Sequence, residues 1–267
     1  MTALAYTVAD STTLLRRNLR RLLRYPSLTL LLVGMPIVFL LLFVYVFGGQ
    51  LSHGLSSGLS GGHAGRAGYL NYITPGILLM TVAAAVQGTA IVVAMDMTGG
   101  IIDRLRTMAI ARAAVLTGHV LASLIQTLVS IAVVLSVALA LGFRPSADLG
   151  GWLGAIGLLA LFAFALIWLA TALGLAAKSV ETASNTPMFL TLLPFLGSGF
   201  VPTATMPVGL RQFATYQPFT SVTETLRSLL TGTPIGTNAI AAIAWSIGIA
   251  ATSYLWAMRL YKRRRPR

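Results

Sequence analysis

The 267-residue chain contains no cysteine. Disulfides and thiolate metal sites are therefore excluded, and the redox compartment leaves no trace. Charge is almost as scarce: 9% of residues are charged, and only six of those are acidic. No Asp, Glu, Lys or Arg falls in the middle of any long apolar run. Carriers driven by protons or sodium normally bury a titratable or cation-binding group near the bilayer midplane, so gradient-driven transport is disfavoured. The pattern G-x-x-x-x-G-K-[ST] is also missing, and with it the glycine loop and lysine that cradle nucleotide phosphates. No residue set reads as a catalytic, cofactor-binding or metal-binding site. The chain is not expected to be an enzyme.

What fills the sequence instead is apolar. Hydrophobic residues make up 56% and the mean hydropathy is +0.83, far from the composition of a water-soluble domain. Six runs approach the roughly 20 residues a helix needs to cross about 30 Å of hydrocarbon: Leu28–Phe47, Ile73–Met95, Val120–Phe143, Trp152–Ala177, Thr186–Val201 and Ala239–Met258. The fifth is short and holds Pro187 and Pro194. Pro187 is expected in its first turn and a kink near Pro194. The first run follows a long basic arm and ends in "FGGQ", a poor cleavage site, so it reads as a retained span rather than a signal peptide.

Basic residues set the direction. With the N-terminus inside, Arg16, Arg17, Arg20, Arg21, Arg24, Arg104, Arg106, Arg112, Lys178 and the six of the tail (Arg259, Lys262, Arg263, Arg264, Arg265 and Arg267) face the cytosol. Only Arg66, Arg144, Arg211 and Arg227 lie outside. That imbalance places both termini in the cytoplasm. It also accounts for the net charge of +13 through topology and anionic lipid, without nucleic acid.

The connecting pieces carry further signals. In "LLRRNLRRLLR" the leucines 15, 19, 22 and 23 share one face and the arginines the other. This reads as an interfacial helix over 11–25, stopped before Pro26; a plain positive-inside flank is the alternative. The tract 50–68 is rich in Gly and Ser and reads as a flexible external loop. Its "GLSG" around Ser60, with His63 three residues on, is a chance match to a serine-hydrolase pattern. Gln87 and Gln126 lie within spans and Asp96 at the end of the second. Gln87 and Gln126 read first as interhelical hydrogen-bond partners, with a role as substrate ligands as the alternative.

Two segments stand out. Between spans five and six, 202–234 is too apolar for a loop. Pro207 and Pro218 can each start a short helix, and Val222, Leu226, Leu229 and Leu230 share a face. A pair of helices dipping into the outer leaflet fits, provided protein covers the turn; helices lying flat on the outer surface are the alternative. Between spans two and three, "GGIIDRLRTMAIAR" concentrates Asp103, Arg104, Arg106 and Arg112 within ten residues. Ile101, Leu105 and Met108 recur at helical spacing, and Asp103 sits in the first turn, where it suits the helix dipole. A short cytosolic helix over 101–108 follows. It is either a basic surface helix or a peg whose apolar stripe fills a groove on a cytosolic partner while its charges fix register.

Here the residues resemble a known family. "GIIDRLRTMAIAR" is similar to the coupling segment of type-2 ATP-binding-cassette (ABC-2) export permeases of the daunorubicin-resistance-like branch. The external segment is similar to that family's signature at Phe200, Val201, Pro202, Met206, Pro207, Leu210, Phe213, Ala214, Gln217, Pro218, Thr220, Leu226, Arg227, Leu230 and Gly232. The likeness covers nearly the whole chain. One position departs: the family usually has proline after its "RT-x" step, and this chain has Ala109.

The resemblance implies an all-α integral membrane domain over 1–267. It would have six transmembrane helices, an N-terminal interfacial helix, a cytosolic coupling helix and re-entrant external helices between spans five and six. It implies a cell-membrane permease subunit of an exporter for an amphipathic drug, antibiotic, lipid or lipid-linked glycan. Energy would come from two copies of a separate Mg-ATP-hydrolysing subunit, and the permease would pair with itself or a paralogue. Coupling would fall to Ile101, Asp103, Arg104, Leu105, Arg106, Met108 and Arg112, supported by Arg16, Arg17, Arg20, Arg21 and Arg24. The external gate would comprise Phe200, Pro202, Pro207, Gln217, Pro218, Glu224 and Arg227. Gln87, Phe189 and Phe195 would line part of the substrate path. The other readings are a non-transporting membrane scaffold and a gradient-driven transporter.

Overall fold

The structure, a computed structural model, describes residues 26–47, 66–99 and 112–263, and every regular element among them is helical. The expected interfacial helix over 11–25 and the coupling segment 101–108 lie outside the described residues, as does 50–65 of the tract expected as a loop over 50–68; residues 66–68 open a helix instead. Among the described residues, four helices are long and apolar enough to cross a membrane. They are α2 (Arg66–Thr98), α3 (Arg112–Ala140), α4 (Leu149–Ala176) and α9 (Asn238–Arg263). A shorter apolar helix, α1 (Pro26–Leu41), continues as a π-helical turn, Leu42–Phe47.

The fifth apolar run differs from expectation. It is no single helix but α5 (Val180–Asn185), α6 (Met188–Leu192) and a series of turns from 193 to 200. Pro187 caps α6 from outside instead of sitting in a first turn, because Ser179 starts an earlier helix by accepting from the Thr182 N–H at 3.1 Å. Pro194 removes one backbone donor. Gly197 and Gly199 follow closely, so the regular ladder does not resume. Beyond a 3₁₀ turn, Thr203–Thr205, come α7 (Val208–Tyr216) directly after Pro207, and α8 (Pro218–Thr231) with Pro218 in its first position. Gly232, at φ +67°, supplies the left-handed cap that ends α8.

Helix α2 is the centre. It packs against α1, α3, α4, α5, α6 and α8, and 72% of its most apolar stretch is buried, against 17% for α9. Two contacts fix α3 as its antiparallel neighbour: His119 meets Asp96 at one end, and the Arg144 N–H donates to Asn71 at the other. Asp148 caps α4 by accepting from the Gly151 N–H at 2.7 Å. Toward its far end α4 lies close against α2: a Cβ on Gly174 would stand 2.7 Å from the Ala90 carbonyl oxygen. Helix α9 covers the other side of α4, with Trp168 and Tyr254 edge to face at 4.9 Å. Hydroxyls inside these helices bond back to their own turns, as Thr81 does to Ile77 and Thr171 to Ile167. Such bonds let polar residues sit in apolar surroundings without stranded donors.

The apolar surface left exposed is extensive. Leu30, Met35 and Val38 on α1, Val129 and Val133 on α3, and Ile240, Ile247 and Leu255 on α9 all face outward. In water such continuous patches would aggregate; against acyl chains they are the expected exterior.

Candidate functional site: a clamped helical hairpin and a buried Asp–His pair

The short helices α7 and α8 form a hairpin at the end of the bundle that carries Arg144 and Gly232. Helix α7 is largely exposed, with Ala214 buried. Helix α8 is enclosed by α2, α4 and α9, and Phe219, Val222, Leu226 and Leu230 are each at most 2% exposed. Its C-terminal end is pinned to the α3–α4 connection: the Ser146 hydroxyl donates to the Thr231 carbonyl at 2.7 Å.

Arg227 is the hub of this end. Its guanidinium donates to Glu224 at 2.7 Å, to the Ser198 carbonyl at 2.9 Å and to the Tyr72 carbonyl at 3.2 Å. It also lies over the Tyr72 ring at 4.0 Å. The Tyr72 hydroxyl donates to the same Ser198 carbonyl at 3.0 Å. One carbonyl in the irregular stretch thus receives donors from both α2 and α8. A charged fork suits this, because it satisfies carbonyls that a broken helix leaves without ladder partners. Just beside it the chains touch backbone to backbone: a Cβ on Gly76 would stand 2.5 Å from the Gly199 carbonyl oxygen. At the tip of the hairpin the Gln217 amide donates to the Leu193 carbonyl at 3.2 Å, and the Ser198 N–H donates to Thr220 at 3.3 Å.

Aromatic rings hold the same stretch to α1. Phe200 stacks on Phe195 at 4.7 Å and on Phe43 at 4.9 Å, and Phe195 meets Phe39 at 5.5 Å. Phe39, Phe43 and Phe47 follow one another along α1 and its π-helical turn. A groove of about 790 Å³ opens beside the hairpin tip, walled by Phe189, Leu193, Gln212, Phe213, Tyr216, Gln217, Pro218 and Trp245.

The residues expected at an external gate are therefore distributed unevenly. Glu224 and Arg227 share one contact network, Gln217 bonds to the Leu193 carbonyl, Phe200 belongs to the ring cluster, and Pro218 opens α8. Pro207 precedes α7, and Pro202 precedes the 3₁₀ turn. Of the three placed on a substrate path, Gln87 donates to the Ser184 carbonyl at 3.1 Å, tying α2 to α5. Phe195 is engaged with other rings, and Phe189 is exposed on the groove wall. Arg112 opens α3. Ile101, Asp103, Arg104, Leu105, Arg106 and Met108, with Arg16, Arg17, Arg20, Arg21 and Arg24, lie outside the described residues.

The opposite end holds a feature the sequence reading passed over. The His119 Nε2 stands 3.2 Å from the Asp96 Oδ2, with side chains 5% and 1% exposed. Removing either partner leaves the polar atoms of the other facing apolar surroundings, at about 1–3 kcal/mol. The pair joins α2 to α3 a few residues from where each leaves the described bundle toward segment 100–111. Its signal was present: Asp96 and His119 are the first titratable residues beyond the facing ends of apolar runs two and three.

Comparison with known proteins decides the family. The family model described as "ABC-2 type transporter" matches residues 10–231. The chain belongs to the ABC-2 type transporter family. It is 29% identical over 261 residues to the daunorubicin resistance ABC transporter permease protein DrrB1 of Streptomyces coeruleorubidus, covering 97% of this chain and 88% of that protein. It is 26% identical over 175 residues to the probable doxorubicin resistance ABC transporter permease protein DrrC of Mycobacterium tuberculosis, in both strain CDC 1551 / Oshkosh and strain ATCC 25618 / H37Rv. That match covers 64% of this chain and 63% of the relative. An ABC-2 permease with these apolar helices is a multi-pass membrane protein.

Proposed function

We propose that this chain is the membrane-spanning permease subunit of an ATP-driven exporter in the cell membrane, moving an amphipathic drug or lipid-like molecule outward. The observation that carries the reading is similarity over 97% of the chain to a daunorubicin resistance permease. In this reading α1, α2, α3, α4, the broken α5–α6 stretch and α9 are the six spans, with both termini in the cytoplasm. Segment 101–108 is the coupling helix, gripped by a groove on a separate ATPase subunit. Two ATPases and two permeases, either two copies of this chain or this chain and a paralogue, would form the working unit. Two-fold pairing is also the commonest closed symmetry.

The hairpin of α7 and α8 then serves as the external gate. It is held shut by the Arg227 network and opened when ATP binding favours a second packing of the membrane subunits. The cargo path runs between the two permeases, and Phe189 and the phenylalanines near Phe195 offer it an aromatic wall. A gradient-driven carrier gains no support from the buried Asp96–His119 pair, which sits at the end of α2, two residues from Thr98, rather than at mid-span.

The test uses the permease co-expressed with its ATPase in inverted vesicles and daunorubicin as probe. Uptake that starts with ATP, stops with vanadate and ignores ionophores is the expected result. Reversing the charges of Asp103 and Arg104 should lower ATPase co-purification and uptake together. Equal uptake by the permease alone would overturn the assignment.

A further inference from the structure

We infer that Asp96 and His119 form a polar staple that makes α2 and α3 one rigid lever, so that force applied between them reaches the hairpin of α7 and α8. The first part of this inference stands on geometry alone; its link to energy coupling rests on the exporter reading above.

Three observations converge. First, the pair is buried and close, at 3.2 Å, in a chain with only six acidic residues and three histidines. A polar pair placed inside helix packing holds one register and penalises sliding, since each partner shifted away is left facing apolar surroundings. Second, the pair ties α2 to α3 close to Thr98 and Arg112, the ends that the chain joins through segment 100–111. A push on that segment would splay two untied helices before it moved either. The staple closes that route. Third, α2 is clamped again at its other end. Tyr72 and Gly76 meet Ser198 and Gly199, and Arg227 bridges Tyr72 and Ser198. From Tyr72 to Asp96 the helix runs about 36 Å at 1.5 Å per residue. Between the clamps α4 lies against α2 at Gly174. Helix α2 runs from this clamp to the staple, and its internal proline, Pro75, lies within the clamp, between Tyr72 and Gly76. Asp96 and His119 are positioning residues: they touch no cargo and act through α2.

The experiment exploits the absence of cysteine. Nitroxide labels are placed at Met95→Cys on α2 and Ile125→Cys on α3, both exposed side chains. The interspin distance is read in the assembled complex, without nucleotide and with ATP and vanadate, and in the permease alone. The expected result is one narrow distance that nucleotide does not move. Asp96→Ala and His119→Ala should broaden it, and the exchanged pair Asp96→His/His119→Asp should restore it. If an alanine variant fails to fold, Asp96→Asn keeps the side-chain size and removes the charge. A narrow distance in every variant, or a wild-type distance that changes with nucleotide, overturns the staple.

The coupling arm measures daunorubicin moved per ATP hydrolysed. The single variants should still bind the ATPase and hydrolyse ATP but transport about tenfold less per ATP. The exchanged pair should recover at least half of the wild-type ratio. Unchanged ratios in the single variants overturn the lever. If the wild-type complex moves no daunorubicin, the exporter reading fails while the distance measurement still decides the staple.

Discussion

The guanidinium of Arg227 reaches three acceptors and one ring face, a set that a lysine cannot copy because its single ammonium lacks the planar fork. Arg227→Lys keeps the charge and loses at least one charged hydrogen bond, at about 2 kcal/mol. Its thermal midpoint in detergent should fall, although net charge is unchanged. A second residue-scale prediction pairs two glycines of α2. Alanine at Gly76 would place its Cβ 2.5 Å from one backbone atom of Gly199 and 2.8 Å from two more, and backbone cannot rotate aside. Overpacking of this kind costs about 1–3 kcal/mol, against a gain of about 1 kcal/mol from helix propensity. Gly88 meets nothing within 4 Å, so there the gain stands alone. Gly76→Ala should lower the midpoint and Gly88→Ala should leave it level or raise it; equal shifts would mean that the α2 crossing at Gly199 is looser than described. Sequence could mark Arg227 as a charge between two apolar runs, but its partners Tyr72 and Ser198 lie 155 and 29 residues away. No local pattern encodes that meeting. Asp96 and His119 were legible in part, as matching polar ends of consecutive antiparallel spans.

At the scale of elements, the informative case is the stretch from 186 to 201. Its apolar length argues for a span and its prolines argue for a kink. What periodicity cannot reveal is that the irregular turns after Leu192 are stabilised from outside, by Arg227 and Tyr72 on one side and by phenylalanines of α1 on the other. The α1 helix shows the reciprocal dependence, since its last turn winds as a π-helix while Phe43 stacks on Phe200. Wide turns of this kind are found where a helix accommodates a functional neighbour. Phe200→Ala removes a ring that is 3% exposed, at about 3–5 kcal/mol in a site that does not collapse. The loss should be local. Amide exchange in 42–47 should rise strongly while exchange in α4 stays slow, because Phe200 stacks on Phe43 and Phe195 and has no ring contact with that helix. Uniform acceleration across the chain would mean that the cluster supports the whole bundle instead. Helix starts at proline were the most readable elements: α8 opens at Pro218 and α7 follows Pro207, because a fixed φ and a missing donor suit a first turn.

Across the whole molecule, the placement of the hairpin relative to the bilayer separates the two readings of its sequence. The nine residues of α7, Val208–Tyr216, span about 13 Å at 1.5 Å per residue, close to half of the roughly 30 Å hydrocarbon layer. If α7 runs inward, Tyr216 and Gln217 reach toward mid-depth, and α8 returns outward between α2, α4 and α9. Its enclosure there satisfies the rule that a turn at such depth needs a protein covering. Lying flat on the surface, α7 would keep both of its ends at the water interface. Accessibility distinguishes these cases because Val208 and Tyr216 are both open on the isolated chain, at 70% and 76% exposed. Any difference between them in cells must then come from lipid or from a partner subunit. In the cysteine-free background, Val208→Cys should react with a membrane-impermeant thiol reagent added to intact cells. Tyr216→Cys should not react with it, yet should be modified by a small lipid-soluble maleimide. Cysteine in place of Arg265 should react with the impermeant reagent only after permeabilisation, as expected if fifteen of the nineteen basic residues hold their segments in the cytoplasm. Rapid labelling of Tyr216→Cys from outside would place α7 on the surface and remove the hairpin from the role of a gate within the outer leaflet.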